Sequence, residues 1–170
     1  MRRIRYSVAM SLDGYIAGPD GEYDWIEVDP SAAGPYFKEF YAQFDTVLMG
    51  RKSYEQAGGA VKPFTTYVVS RTLPPGQRRG VTVLGADALE RIAALREEPG
   101  KDIWLWGGGE LFGSLVAADL VDTVEVGLIP VLLGAGRKLM SGCERHVKLE
   151  LRERRGDLPG TELLIYDVQR

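Results

Sequence analysis

Cysteine and histidine each occur once in the 170 residues, as Cys143 and His146. A single cysteine excludes an intrachain disulfide and makes a reducing, cytoplasmic compartment the default expectation. A single imidazole excludes zinc sites built on two or more histidines. A Ser-His-Asp triad has only His146 to draw on, within the polar stretch Cys143 to Lys148 and with no nucleophile elbow nearby. His146 therefore reads as a surface residue and Cys143 as a plain thiol. Long hydrophobic runs are also missing. The stretch Tyr6 to Met10, after Arg2, Arg3 and Arg5, is too short for a signal sequence and is ended by Asp13. No run approaches the roughly 20 residues of a membrane helix. Excess positive charge is absent too: 21 basic against 24 acidic residues leave a net charge of −3. That balance argues against nucleic-acid or anionic-membrane partners, and the pairs Arg78-Arg79 and Arg154-Arg155 read as solvated loop charge.

Hydrophobic residues make up 45% of the chain, enough for a real core, and the length suits a single domain over residues 1–170. Ile4 to Met10 reads as a buried strand, followed by the turn-rich stretch Ser11 to Gly21. Residues 33 to 44 place Tyr36, Phe37, Phe40, Tyr41 and Phe44 at helical spacing, an aromatic face turned inward. Thr46 to Met49 is a short strand closing at Gly50, and Arg51 to Gln56 starts another helix. Thr65 to Ser70 and Val81 to Leu84 read as strands, with a break at Pro74-Pro75-Gly76. Asp87, with Glu90 three residues on, reads as the cap of an amphipathic helix that Pro99-Gly100 stops. Ile103 to Trp106 is a strand, Gly107 to Gly109 a turn, Glu110 to Ala118 a helix and Val121 to Ile129 a long strand. Val147, Leu149 and Leu151 alternate with charged residues, as in a half-exposed strand. Arg155 to Gly160 reads as a turn and Thr161 to Val168 as the returning strand. The alternation implies an α/β sheet, largely parallel, with an antiparallel edge.

Three segments end a strand in a glycine or small polar residue just before a helix or turn, where open α/β sheets bind ligands. In the first, Gly107, Gly108 and Gly109 lack side chains, so a diphosphate can approach the backbone while the helix from Glu110 and Leu111 adds its dipole. In the second, Gly50 closes a strand and Arg51, Lys52 and Ser53 fall in the next first turn. Cations are unfavourable there unless an anion binds. In the third, Ser70 and Arg71 stand at a strand end, where they can hold a 2′-phosphate. A Rossmann fingerprint is not met, because Phe112 occupies the third glycine's place. Its acidic partner is missing as well, since Glu125, between Val124 and Val126, reads as the exposed face of a strand. No P-loop pattern occurs.

The segments Ser11-Leu12-Asp13-Gly14-Tyr15-Ile16-Ala17, Val47-Leu48-Met49-Gly50-Arg51-Lys52-Ser53-Tyr54-Glu55, Val69-Ser70-Arg71 and Gly107-Gly108-Gly109-Glu110-Leu111 occur in that order. Together with Ile129-Pro130-Val131-Leu132-Leu133-Gly134-x-Gly136, they resemble the dihydrofolate reductase-like superfamily, above all the branch holding the reductase domain of bacterial riboflavin biosynthesis. The resemblance implies a three-layer α/β/α fold, its central sheet mostly parallel with an antiparallel C-terminal hairpin. It also implies an NADPH cofactor lying extended across the carboxyl edge of the sheet. Gly50, Arg51, Lys52 and Ser53, with Gly107, Gly108, Gly109, Glu110 and Leu111, would hold the phosphates. Ser70 and Arg71 would grip the 2′-phosphate, and Ala9, Ile16 and Ala17 would line the nicotinamide end. A homodimer is implied as well.

The chain departs from these families where they meet their substrates. The early helix carboxylate of folate reductases falls near Ala33 or Gly34, with Glu39 more than a turn beyond. The riboflavin-type lysine is Ser7, and the Glu of Glu-Gly-Gly is Trp106. For the reacting end the candidates are Asp24 and Asp13 as carboxylates and Trp25 as an aromatic lid over a small-molecule substrate. Tyr36 and Tyr54 read as core or surface. The leading expectation is an NADPH-dependent oxidoreductase acting on a small heterocyclic or carbonyl-like substrate. A non-catalytic nucleotide-binding protein or ligand sensor is the alternative class, and a structural dimer module the third.

Overall fold

A computed structural model of the chain describes residues 1–158 and 160–170. In chain order the elements are β1 (Ile4–Ser11), β2 (Tyr15–Ala17), α1 (Pro30–Ala42), β3 (Phe44–Gly50), α2 (Arg51–Ala57), β4 (Thr65–Val69), β5 (Gly76–Arg78) and β6 (Val81–Leu84). There follow α3 (Ala88–Glu97), β7 (Asp102–Gly107), α4 (Gly109–Ala117), β8 (Thr123–Ile129), β9 (Arg137–Lys138), β10 (Leu149–Leu158) and β11 (Thr161–Val168).

Runs such as Thr46 to Met49 are buried throughout, the signature of strands covered on both faces. They form one nine-stranded sheet in the order β10-β11-β8-β1-β7-β3-β4-β6-β5. The strands from β8 through β6 are parallel, while at one edge β5 is antiparallel to β6 and at the other β11 is antiparallel to both β8 and β10. On one face α3 and α4 pack Ile92, Leu95, Phe112 and Leu115 against Ile4, Tyr6, Ile103 and Leu105. On the other, Phe40 of α1 joins Phe44, Val47, Met49 and Val68, with Tyr54 of α2 against them. This is the three-layer α/β/α fold, with a mostly parallel sheet and an antiparallel C-terminal hairpin, that the resemblance implies.

Several local expectations need correction. Phe44 opens β3 rather than closing the helix, and α1 begins at Pro30, where the Asp29 side chain accepts from the Ser31 amide at 2.8 Å. Asp87 occupies the N-cap of α3, but its side chain makes no capping bond. Gly76, expected within a break, opens β5, and Arg78, expected as loop charge, closes it as a strand residue paired with Val81 of β6. β10 extends to Leu158 through the segment read as a turn, of which Pro159 lies outside the described residues. Its Arg154 is therefore a strand residue, paired with Glu162 at 2.8 Å, not loop charge. Two of the amino-terminal arginines, Arg2 and Arg5, are internal staples. Arg2 is buried and donates to Asp45, and at 2.7 Å to Thr46 Oγ1.

The largest departure concerns Glu125. Its alternation with valines suggests a solvated face, yet the residue is 1% exposed. Both faces of β8 are covered, so the polar position points into protein. Arg5, on the neighbouring strand, donates Nε to Glu125 Oε1 at 2.5 Å and Nη1 to Gln43 Oε1 at 2.6 Å, with Asp102 at 3.4 Å. Burial opposes the Arg5 charge, but Glu125 and Asp102 outweigh it and hold the guanidinium ionised. The pair ties β1 to β8 and, through Gln43, to the end of α1.

A strap after β8 is anchored by backbone contact. Tyr6 stacks on Phe112 and donates Oη to the Leu139 carbonyl at 3.0 Å, and burial pushes its phenol pKa upward. Gly109 and Gly113, on one side of α4, lie against that strap. A Cβ on Gly109 would come within 2.4 Å of the Lys138 carbonyl, and one on Gly113 within 1.9 Å of the Ser141 carbonyl. Nearer to β8, Asp13 clamps the chain. Its carboxylate accepts from Ser11 Oγ at 2.6 Å, from the Leu133 amide at 3.1 Å and from the Gly134 amide at 2.7 Å. Ser11 and these amides hold the Asp13 carboxyl below the usual carboxylate range.

Removing one partner of the buried pair leaves the other charge uncompensated. Arg5→Met is expected to lower stability by about 3–5 kcal/mol in urea denaturation, and Arg5→Met/Glu125→Leu to recover most of that loss. The Asp13 clamp predicts a pH dependence. Because its pKa is lowered by folding, its stabilisation is present above the ordinary value of 3.8 and is lost as pH falls through the depressed one. Melting curves of the wild type and Asp13→Asn are therefore expected to differ near neutrality and to converge in acid.

Candidate functional site

Parallel pairing brings three strand ends to one rim. Met49 of β3 is level with Gly107 of β7, and Gly50 is level with Val69 of β4. Gly107, with φ 145°, and Gly108, joined to it by a cis peptide bond, carry the chain from β7 into α4. Gly108 is the N-cap and no side chain caps the helix, so the amides of its first turn face outward. A Cβ on Gly107 or Gly108 would have Ser53 Oγ as its neighbour, at 3.8 and 3.9 Å. One on Gly50 would meet only the Gly107 carbonyl and the Gly108 amide, both at 3.9 Å. The three glycines thus form a bare backbone surface beside one hydroxyl. Gly109 differs, because its lack of a side chain serves the strap.

This surface borders a cleft of about 340 Å³. Its floor is Ser7, Val8 and Ala9 of β1 with Trp104 and Trp106 of β7. The indoles stack with centroids 4.8 Å apart, and Trp104 Nε1 donates to the Ser7 carbonyl at 3.0 Å. One lip carries Ile16, Ala17, Gly21, Tyr23, Ile26 and Arg137, the other Ser53, Gln56 and Ala57 of α2 with Gly107 to Gly109. The Gln56 amide donates to the Gly21 carbonyl and joins the lips. Among the described residues, no carboxylate lines the cleft.

Of the residues singled out from sequence, Ala9, Ile16, Ala17, Ser53, Gly107, Gly108 and Gly109 line the cleft. Arg51 and Lys52 lie exposed on α2, with Arg51 3.8 Å from Glu55. Ser70 is buried, and its Oγ accepts from the Thr72 and Leu73 amides at 3.1 and 2.9 Å, so it builds the turn after β4. Arg71, next to it, projects into solvent. Glu110 is exposed in the first turn of α4, whereas the Leu111 side chain belongs to the core and only its backbone faces the rim.

The acids named for the reacting end lie elsewhere. The Asp13 carboxylate is engaged by the backbone of the strap, and Asp24 is exposed; neither lines the cleft. Trp25 is half-buried, donates Nε1 to the Glu22 carbonyl at 3.3 Å and also lies off the wall. Their neighbours Tyr23 and Ile26 take that place. Tyr36 sits on α1 and Tyr54 packs against the α1-side core. Sequence reasoning passed over Trp104 and Trp106 as wall residues, although period-2 alternation in Ile103-Trp104-Leu105-Trp106 puts both on one face. Arg137 and Gln56 carried no local signal. Among the described residues, no cluster of metal-ligating side chains occurs, and no helix is long and apolar enough to cross a membrane.

Comparison with known proteins agrees with this architecture. Uncharacterized protein YyaP of Bacillus subtilis (strain 168) is 33% identical over 181 residues, spanning 97% of this chain and 94% of that protein. The crystal structure of a putative riboflavin biosynthesis protein from Shewanella sp. PV-4 superposes with a TM-score of 0.82 at 25% identity, covering all of both chains. Dihydrofolate reductase from Enterococcus faecalis, complexed with NADP(H) and RAB-propyl, superposes with a TM-score of 0.69 at 18% identity, over 99% of this chain and 97% of that one. That last likeness concerns the fold. The RibD C-terminal domain model matches residues 2–66 and 60–162, and with the relatives above this places the chain in the RibD C-terminal domain family, on a dihydrofolate reductase-like fold.

Proposed function

We propose that the chain is an NADPH-dependent reductase acting on a small heterocyclic or carbonyl-like substrate. The observation that carries this reading is the alignment of bare strand ends at Gly107 and Gly50 with the uncapped start of α4, beside a cleft floored by two indoles. Backbone amides without competing side chains suit a diphosphate, and a Cβ at these glycines would fill the space it needs. The Enterococcus reductase of the same fold, complexed with NADP(H), supports the choice of cofactor. When bound, that cofactor supplies the hydride.

Gly107, Gly108 and Ser53 hold the phosphates, and Arg71 pairs with the 2′-phosphate through a charge-assisted hydrogen bond worth about 1.5–3 kcal/mol. Ser70 acts on Arg71 indirectly, by fixing the turn. Ala9, Ile16 and Ala17 line the nicotinamide end and exclude water from it. The substrate lies over Trp104 and Trp106, flanked by Tyr23 and Ile26. With no carboxylate on the wall, the proton that accompanies the hydride comes from water at the cleft mouth. The same missing acid favours the second reading, a protein that binds the nucleotide without turnover. Substrate-dependent NADPH oxidation separates the two.

The hairpin supports a homodimer. Leu149 and Leu151 of β10 are 44% and 54% exposed, and their register sets them on the face shared with Tyr166 and Val168 of β11. A second copy covers this strip. A cytoplasmic location accords with the free thiol of Cys143.

NADPH is expected to quench tryptophan emission at submillimolar concentration. Arg71→Ala should weaken NADPH roughly tenfold to a hundredfold and leave NADH nearly unchanged; equal losses would remove the 2′-phosphate assignment. Light scattering coupled to size exclusion should give a dimer mass for the wild type and a monomer mass for Leu149→Glu/Leu151→Glu.

A further inference from the structure

Among the described residues, Arg137 is the one charged side chain that lines the cleft. Backbone fixes its place. Arg137 of β9 pairs with Ala17 of β2, and Gly136 before it runs so close to this strand that a Cβ there would come within 2.2 Å of the Ala17 carbonyl. The guanidinium then lies against Gly21, where a Cβ would come within 2.6 Å of Nη2 and 2.8 Å of Cζ. Bare backbone at Gly21, with φ 93°, leaves the space that the planar group occupies. The side chain is half-buried, held at the lip rather than trailing into solvent.

This cation has no acid. Its hydrogen bond runs from Nη2 to the Asp20 carbonyl at 3.4 Å, longer than the usual roughly 2.7–3.2 Å. Among the described residues it has no ion-pair partner. The neighbouring acids are turned elsewhere: Glu22 Oε2 accepts from the Asp20 amide at 2.9 Å and its carboxyl group lies over Gly18, while Asp24 is exposed. A ligand that fills the cleft strips water from Arg137, and an uncompensated guanidinium is then costly. An anionic group on the ligand removes that cost, and a carboxylate matches the planar fork of N–H donors with two oxygens.

The floor sets the shape of the rest. Trp104 and Trp106 stack with 21° between their planes, and Trp104 Nε1 is already given to the Ser7 carbonyl, so this indole offers a face and no donor. A flat ring suits such a floor. The cleft, at about 340 Å³, stands at the lower end of the range for small-molecule sites, roughly 300–1,000 Å³. Part of it belongs to the nicotinamide, and what is left suits one compact ring system bearing its charge directly. Arg137 also stands on the lip of Ile16 and Ala17, across from the glycine rim that seats the diphosphate.

We propose that the substrate is a compact flat aromatic carboxylate, gripped by Arg137 while its ring lies over the two indoles, and that Arg137 is the residue that selects it. This rests on the reductase reading, in that Arg137 takes the substrate and not the cofactor.

The test is calorimetric titration of the full chain, with and without saturating NADPH, using 2-naphthoate and its neutral isostere 2-naphthamide. Expected is one site per chain, with the naphthoate bound roughly tenfold or more tighter than the amide in the presence of NADPH. Arg137→Met should bind the two probes alike, Arg137→Lys should keep part of the preference, and NADPH should bind the wild type and Arg137→Met equally. No binding of either probe at millimolar concentration would overturn the proposal. So would equal affinities in the wild type, or a preference that survives in Arg137→Met. Displacement of the naphthoate by NADPH, or loss of NADPH affinity in Arg137→Met, would also overturn it, by putting the guanidinium on the cofactor; the reductase reading would stand. If NADPH fails to bind while the naphthoate preference holds and depends on Arg137, the reductase reading falls and the flat anion remains as the ligand of the cleft.

Discussion

Level termination of parallel strands is the constraint on which the candidate site depends. Parallel hydrogen bonding fixes each strand's height against its neighbour, and here the pairs Met49–Gly107 and Gly50–Val69 are the last before the chain leaves the sheet. Three connections must then turn at the same height, side by side. Glycine at two of these ends lets the backbone turn without projecting a side chain, so polar amides rather than methyl groups form the rim. A one-residue slip of β7 would move Gly107 off this line and put a tryptophan in its place.

The sheet face beneath the rim is graded from apolar to charged along β1. Ala9 and Ser7 floor the cleft, and below them the Arg5–Glu125 pair sits under α1 and the hairpin. Burying such a pair adds little net stability over well-packed apolar residues, but it is directional. Gln43 at the end of α1, Asp102 at the start of β7 and Glu125 in the middle of β8 converge on one guanidinium, which fixes how the helix sits on the sheet.

Much of this was legible in the sequence because local chemistry and global fold agree. The Gly107–Gly108 turn and the Gly50 strand end announce themselves through turn formers and stand where those signals put them, and periodicity announces the returning hairpin, although its first strand runs on to Leu158. Glu125 failed because alternation reveals which residues share a face, not whether that face meets water; only the packing of α1 and the hairpin decides that. Asp13 and Asp24 failed as cleft residues for a related reason. A loop carboxylate near a pocket in sequence is free to turn toward backbone amides, as Asp13 does, or toward solvent, as Asp24 does. Ser70 was legible in place but not in use, since its hydroxyl is already occupied by Thr72 and Leu73.

The contact of Gly109 and Gly113 with the strap carries a mechanical consequence. Where side chains mediate packing, rotamer changes absorb small displacements. Here carbonyl oxygens rest directly on the helix backbone, and nothing soft lies between. The same segment is gripped upstream by Asp13 and bonded at Leu139 to the Gly14 carbonyl. Helix and strap therefore meet backbone to backbone, and the loop after β1 and the opening turn of α4 share this one support.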